Sequence, residues 1–266
     1  MTTVALRGAR VLLTGASGGI GGAIARRLAR EGSQLVLTGR RVDVLDALAK
    51  ELGAEVLAAD LARREEVERL LEAAGEIDVL VANAALPGTG RLAKLDRETV
   101  DRALEVNLRA PIALAHALGP AMAARRRGQL VFIGSLSGKA ATGGSSVYNA
   151  AKFGLRGFAL ALRAELAPAG VGVSLVSPGF VSAAGMYANT QIKLPLGVTT
   201  RSPEQVASAV VRAIVENRGE IDVASVTMRL GADFANLAPA LAARATRALG
   251  GERLALEFEQ RQADKR

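Results

Sequence analysis

Apolar residues in this chain fall into two kinds of stretch. Short runs such as Val11-Leu12-Leu13 and Leu130-Val131-Phe132-Ile133 are continuously apolar, as strands covered on both faces of a parallel sheet must be. Between them lie longer stretches with Ala, Leu, Ile and Val at helical spacing. The pattern predicts strands over Arg10–Thr14, Gln34–Thr38, Glu55–Ala58, Val79–Ala82, Gln129–Gly134, Gly172–Val176 and Glu220–Val223. Helices are predicted over Ile20–Glu31, Val42–Leu52, Arg64–Ala74, Thr99–Arg125, Ser146–Ala167 and Pro203–Glu216. This alternation predicts an α/β fold: a single Rossmann-like, doubly wound parallel sheet of about seven strands with helices on both faces. Past Val223 the alternation stops. Leu230, Phe234, Leu237, Leu241 and Leu249 recur at near-helical spacing, and a charged tail follows. The expected division is a catalytic unit over 1–225 and a helical extension over 226–266.

Composition narrows the chemistry. The 266 residues include no Cys and one His, His116, so thiolate chemistry and multi-histidine metal sites are excluded. No metal site is expected. The only tyrosines are Tyr148 and Tyr187. No apolar run reaches the ~18 residues of a membrane span, and the N-terminal residues lack a secretory signal, so a cytoplasmic protein is expected. The charge is 34 − 26 = +8, which raises nucleic acid as a partner. Aromatics at 3% and Arg dispersed among Ala argue against it. His116 and Arg125-Arg126-Arg127 read as ordinary helix-surface and helix-end residues.

The candidate site lies at the carboxyl ends of the predicted strands, where open parallel sheets bind ligands. The first strand runs into Thr14-Gly15-Ala16-Ser17-Gly18-Gly19-Ile20-Gly21 and then a helix. Such a turn lets the backbone approach a pyrophosphate at a helix N-terminus. It is not a P-loop, because no Gly-Lys-Ser/Thr closes it. The second strand ends at Gly39-Arg40, with no carboxylate to bind an adenosine ribose. An Arg facing a 2′-phosphate predicts at least ~10-fold preference for NADP(H) over NAD(H). Asp60, Asn83, Ser135 and Pro178-Gly179 follow the next four strands. Tyr148 and Lys152 are four apart and share a helix face. A nearby ammonium favours the phenolate and is expected to lower the phenol pKa. Ser135, thirteen residues before Tyr148, could hold a carbonyl oxygen on which charge develops.

Taken in order, Thr14, Gly15, Gly19, Gly21, Asp60, Asn83-Ala84, Asn107, Ser135, Tyr148, Lys152 and Pro178-Gly179 resemble the short-chain dehydrogenase/reductase family from about Arg7 to Val223. The resemblance implies hydride transfer between NADP(H) and a carbonyl or secondary alcohol. It casts Tyr148 as general acid or base, Lys152 as the group that tunes it and holds the nicotinamide ribose, and Ser135 as the carbonyl-orienting hydroxyl. Asn107 would hold a water that links Lys152 to solvent. Gly15, Ser17, Gly18, Gly19, Ile20, Gly21, Arg40, Asp60, Leu61, Asn83, Ala84, Tyr148, Lys152, Pro178, Gly179 and Val181 would contact the cofactor, Asp60 at the adenine.

Three positions depart from the family pattern. Ala85 replaces a Gly, Ala183 stands where a Thr is common, and the usual V-D-G-G-like close after the last strand is missing. A small-molecule substrate and a homodimer or homotetramer are implied. Met186, Tyr187, Ile192 and Leu194, in the long stretch 181–200, suggest an apolar substrate. The alternative function is a nucleotide-sensing module without turnover. For the extension, a packed helix, a lid, a dimer arm and peripheral membrane contact all stay open.

Overall fold

The computed structural model describes residues 3–182 and 198–248. Ala183, Met186, Tyr187, Ile192, Leu194, Leu249 and the charged tail lie outside them. The seven strands are β1 (Arg10–Thr14), β2 (Gln34–Thr38), β3 (Glu55–Val56), β4 (Val79–Ala82), β5 (Gly128–Ile133), β6 (Val171–Pro178) and β7 (Glu220–Val223). They form one parallel sheet in the order β3-β2-β1-β4-β5-β6-β7. The order reverses between β1 and β4, which opens a crevice at their carboxyl ends. Central strands are buried throughout, and that is why their sequences read as unbroken apolar runs.

Helices α1 (Gly19–Arg30), α2 (Val42–Leu52) and α7 (Pro203–Val215) cover one face. Their Ile24, Leu28, Leu45 and Val210 pack with Val11, Leu13 and Val131 of the sheet. The other face carries α3 (Arg64–Ala74), α5 (Ala110–Ala124) and α6 (Ser146–Leu166), with Leu70, Leu114 and Leu155 against Leu12, Leu80 and Phe132. The alternation of apolar residues along each buried strand feeds the two cores in turn.

Most predicted elements fall within one or two residues of their observed bounds, β6 running on to Pro178, and two differences are informative. The third strand ends at Val56 rather than Ala58, as expected of an edge strand paired only with β2. The long helix predicted over Thr99–Arg125 is broken. α4 (Arg97–Leu104) passes into a π-helical turn over Glu105–Arg109 before α5 begins. The widened turn is centred on Asn107, which is fully buried. Its amide oxygen accepts from Leu86 N–H and its amide nitrogen donates to the Leu86 carbonyl, both at 2.8 Å. A buried side-chain amide clamped to a neighbouring loop supplies the reason for leaving the regular α-helical ladder there.

The extension begins with α8 (Val226–Leu237), capped by the Ser225 hydroxyl, and continues as α9 (Pro239–Ala248). Met228 and Ala232 of α8 pack with Ala224 and with Leu136, just past β5. The inner face of α8 therefore packs at the carboxyl-end edge of the sheet. No helix among the described residues is long and apolar enough to cross a membrane.

Candidate active site

The glycine turn is held by contacts that tolerate no side chain. Gly15 has φ of +65°, and a Cβ there would lie 2.7 Å from the Ala84 Cα. A Cβ on Gly21 would lie 2.2 Å from the Gly15 carbonyl oxygen. Asn83 fastens the turn from β4: its side-chain amide donates to the carbonyls of Thr14 (3.0 Å) and Gly15 (3.2 Å). The buried Thr14 hydroxyl accepts from the N–H groups of Asn83 and Ala84, both at 3.0 Å. The Asn83 side chain therefore shapes the turn from behind. Gly18, at the N-cap of α1, makes no side-chain cap bond, so the first-turn N–H groups of Gly19, Ile20 and Gly21 remain available. A glycine-rich cradle, with free donors and the positive end of a helix dipole, fits a dinucleotide pyrophosphate.

Beyond β2, Ser17 and Gly39 lie close together, since a Cβ on Gly39 would be 3.1 Å from the Ser17 hydroxyl. Arg41 donates to the Ser17 carbonyl, whereas Arg40 stands exposed at the strand end. Past β3, Asp60 accepts from the Ala62 N–H at 3.1 Å and pairs with Arg102 of α4 at 3.0 Å. Burial opposes its negative charge, but the Ala62 and Arg102 bonds and the charges of Arg102 and Arg40 prevail, holding its pKa below the ordinary value. Leu61 beside it is buried. Arg102 has no motif around it, so its place at this corner was not legible from the sequence.

The polar centre lies between β5 and α6. Lys152 is buried and its ammonium donates to the Ile133 carbonyl, the last of β5, at 2.9 Å. The same ammonium stands 5.7 Å from the centre of the Tyr148 ring. Ser135 begins the turn that follows β5. Its hydroxyl accepts from the Ser137 N–H at 3.1 Å and is near enough to the Tyr148 phenol to favour its ionised form. Burial pushes the Tyr148 pKa up to about 12, with Ser135 pulling the other way. Burial also pushes Lys152 down to about 8. The expected lowering of the phenol by the ammonium is thus corrected. Desolvation by burial dominates both shifts.

The turn that carries Ser135 is clamped from two sides by residues given no role in the sequence reading. Asn149, next to Tyr148, donates to the carbonyls of Ser137 and Ala140, both at 3.1 Å. Lys139, buried, bonds to Asp222 of β7 at 2.8 Å and lies 3.5 Å from both Glu220 and Asp233. Those three carboxylates keep its pKa raised against the effect of burial. Asn149 could have been suspected from its place inside Tyr148-Asn149-Ala150-Ala151-Lys152; Lys139 left no such signal. Pro178 and Gly179 end β6 beside this turn, and Val181 forms a bridge with Arg201.

His116 stands exposed on α5. Arg125 donates to the Ile77 carbonyl, Arg126 to the Pro168 carbonyl at 3.3 Å, and Arg127 lies 3.5 Å from Asp78. These three arginines tie the chain to itself. Among the described residues no group of three His, Cys, Asp or Glu side chains is arranged to hold a metal.

A glycine cradle at the β1 carboxyl end and a Ser–Tyr–Lys cluster at the β5 carboxyl end thus stand on the same edge of the sheet, either side of β4. The family model described as short chain dehydrogenase matches residues 9–195. The chain belongs to the short-chain dehydrogenase family. Among relatives of this short-chain dehydrogenase, ketoacyl reductase HetN of Nostoc sp. is 37% identical over 232 residues, which cover 84% of this chain and 80% of the relative. Dehydrogenase/reductase SDR family member 7B of Xenopus laevis is 34% identical, covering 89% of this chain and 80% of the relative. A solved 3-oxoacyl (acyl-carrier-protein) reductase of Agrobacterium tumefaciens with NADP bound superposes with a TM-score of 0.76 at 26% identity. That superposition covers 82% of this chain and 93% of the other.

Proposed function

We propose that this short-chain dehydrogenase is an NADP(H)-dependent reductase of a carbonyl on an apolar chain, working through Ser135, Tyr148 and Lys152. The supporting observation is the grouping of these three residues on the same edge of the sheet as the glycine turn Gly15–Gly21. The nicotinamide, when bound, supplies or accepts the hydride. Tyr148 holds its proton firmly, so it is the donor to the oxygen of a carbonyl under reduction. Ser135, at the end of the turn beside the phenol, orients that oxygen. Lys152, fixed by the Ile133 carbonyl one helical turn from the phenol, holds the nicotinamide ribose. Arg40, exposed and not opposed by a carboxylate at the β2 end, faces the place of an adenosine 2′-phosphate.

The Asn107 amide is engaged at both ends by Leu86, which fixes the position proposed to hold a water that links Lys152 to solvent. Two sources favour a 3-oxoacyl substrate: the names of the HetN relative and of the Agrobacterium reductase. Paired titrations of the purified chain with NADPH and NADH test the cofactor assignment. NADPH binding at least ~10-fold tighter is expected, and equal binding overturns it. Turnover of a 3-oxoacyl thioester with NADPH then tests the substrate class.

A further inference from the structure

Acting on one carbonyl oxygen requires Ser135 and Tyr148 to keep a fixed relation, yet they stand on different elements. Tyr148 lies on α6, and Ser135 opens the short turn over 135–140 that follows β5. The Gly138 N–H returns to the Ser135 carbonyl at 2.8 Å, and the Ser135 hydroxyl accepts from the Ser137 N–H at 3.1 Å. A hydroxyl has one donor and two acceptor sites. Ser137 occupies one acceptor site and so sets where the hydroxyl stands. The O–H is left for an incoming oxygen.

The turn is referred to the Tyr148 helix by one buried amide. Asn149, next to Tyr148, is 5% exposed. Its Nδ2 donates to the carbonyls of Ser137 and Ala140, both at 3.1 Å. An amide nitrogen has two N–H groups, and both are spent on the turn. Reversing the amide would set its oxygen against two carbonyls, so the donor end is committed. The Oδ1 at the other end has no hydrogen-bond partner among the described residues. Asn149 therefore serves by its donors. The contact is also close in backbone terms: a Cβ on Gly138 would lie 2.7 Å from the Lys152 carbonyl oxygen. Lys139 ties the far end of the turn to Asp222 of β7, whereas Asn149 ties it to the helix that carries the phenol.

We propose that Asn149 is a positioning residue that sets the Ser135 hydroxyl relative to the Tyr148 phenol, given the reading of Ser135 as the carbonyl-orienting group. It touches neither substrate nor cofactor. It holds Ser137, and Ser137 holds the hydroxyl.

Single-turnover oxidation of NADPH by a 3-oxoacyl thioester, with the full chain in excess over the thioester, tests this. Asn149→Ala should lower the rate constant at least ~10-fold, as a small displacement of a reacting group does. The NADPH dissociation constant, measured by titration, should stay within about threefold of wild type. Ser135→Ala should also slow the reaction at least ~10-fold. In the Ser135→Ala background, adding Asn149→Ala should change the rate by no more than about twofold, because the group it positions is gone. Asn149→Ser, too short to donate to both carbonyls, replaces Asn149→Ala if that variant does not fold, and the same dependence on Ser135 is expected. Equal falls in the two backgrounds would make Asn149 a plain structural tie and overturn the proposal. So would a wild-type rate in Asn149→Ala while Ser135→Ala is slow, or a rate loss matched by lost NADPH affinity. A wild-type rate in Ser135→Ala itself overturns the underlying reading of Ser135, and this inference with it.

Discussion

The Lys152 ammonium lies 5.7 Å from the centre of the Tyr148 ring, and both groups are buried. One helical turn separates them in sequence, and together they decide where the proton sits. With its pKa raised to about 12, Tyr148 is protonated over the whole neutral range. Tyr148→Phe removes the proton and little else, since the ring still fills its place. Turnover of a 3-oxoacyl thioester should fall ~100- to 10,000-fold, while NADPH affinity measured by titration stays within about threefold of wild type. Retained turnover would remove Tyr148 from its role.

The same pair makes stability depend on pH in a way that can be signed. Lys152 drops from 10.5 to about 8 on folding. Between those values the unfolded chain binds the extra proton, so stability rises with pH. Tyr148 rises from 10.0 to about 12. Between those values the folded chain keeps the proton, so stability falls with pH. Urea midpoints at about pH 7.5 and about pH 9.5 should therefore increase for the wild type, and Lys152→Met should lose that component of the increase. An identical pH response in the variant would show that Lys152 titrates normally.

Gly21 tests the cradle. A Cβ at this position would lie 2.2 Å from the Gly15 oxygen and 2.8 Å from the Ala16 Cα, both backbone atoms. Neither can step aside without moving the turn. Gly21→Ala should weaken NADPH binding at least ~10-fold while costing roughly 1–3 kcal/mol of stability. Gly143→Ala, at a site where a Cβ meets nothing within 4 Å, is the control. Unchanged NADPH affinity in Gly21→Ala would disconnect the turn from cofactor binding.

Strand and helix periods were legible because both faces of the sheet are covered, and the covering leaves its period in the sequence. Strands β1, β2, β4 and β7 fall where the apolar runs place them. The break at Asn107 was not legible, because apolar spacing continues through Glu105–Arg109 and only the clamp on Leu86 explains it. The glycine turn and the Tyr–Lys pair could be read because their residues are local in sequence. Arg102 against Asp60 and Lys139 against Asp222 join positions 42 and 83 residues apart. No local pattern encodes such pairs.

Lys139 carries the next prediction. It is buried and donates to Oδ2 of Asp222, whose Oδ1 has no hydrogen-bond partner. Removing one member of a buried ion pair leaves the other charge uncompensated. Glu220 is less exposed to the loss, because Arg156 holds it at 2.8 Å. Lys139→Met should therefore destabilise the fold by roughly 3–5 kcal/mol, read as a lowered urea midpoint. Adding Asp222→Asn should recover part of the loss. A single variant as stable as wild type would show that water already compensates Asp222.

Arg40 separates cofactor preference from cofactor binding. It stands exposed at the end of β2, where a carboxylate would repel a phosphate and select the ribose hydroxyl. Its neighbour Arg41 is tied to the Ser17 carbonyl and cannot take its place without giving up that bond. Removing Arg40 leaves the Gly15–Gly21 cradle intact, so the pyrophosphate contacts persist for both cofactors. Arg40→Ala should weaken NADPH at least ~10-fold, the worth of a charge-assisted phosphate contact, and leave NADH within about twofold. Arg40→Asp should go further and favour NADH, because the new carboxylate repels the 2′-phosphate and accepts from the 2′-hydroxyl. A ratio of the two dissociation constants that does not move in either variant would assign the preference to residues elsewhere in the crevice.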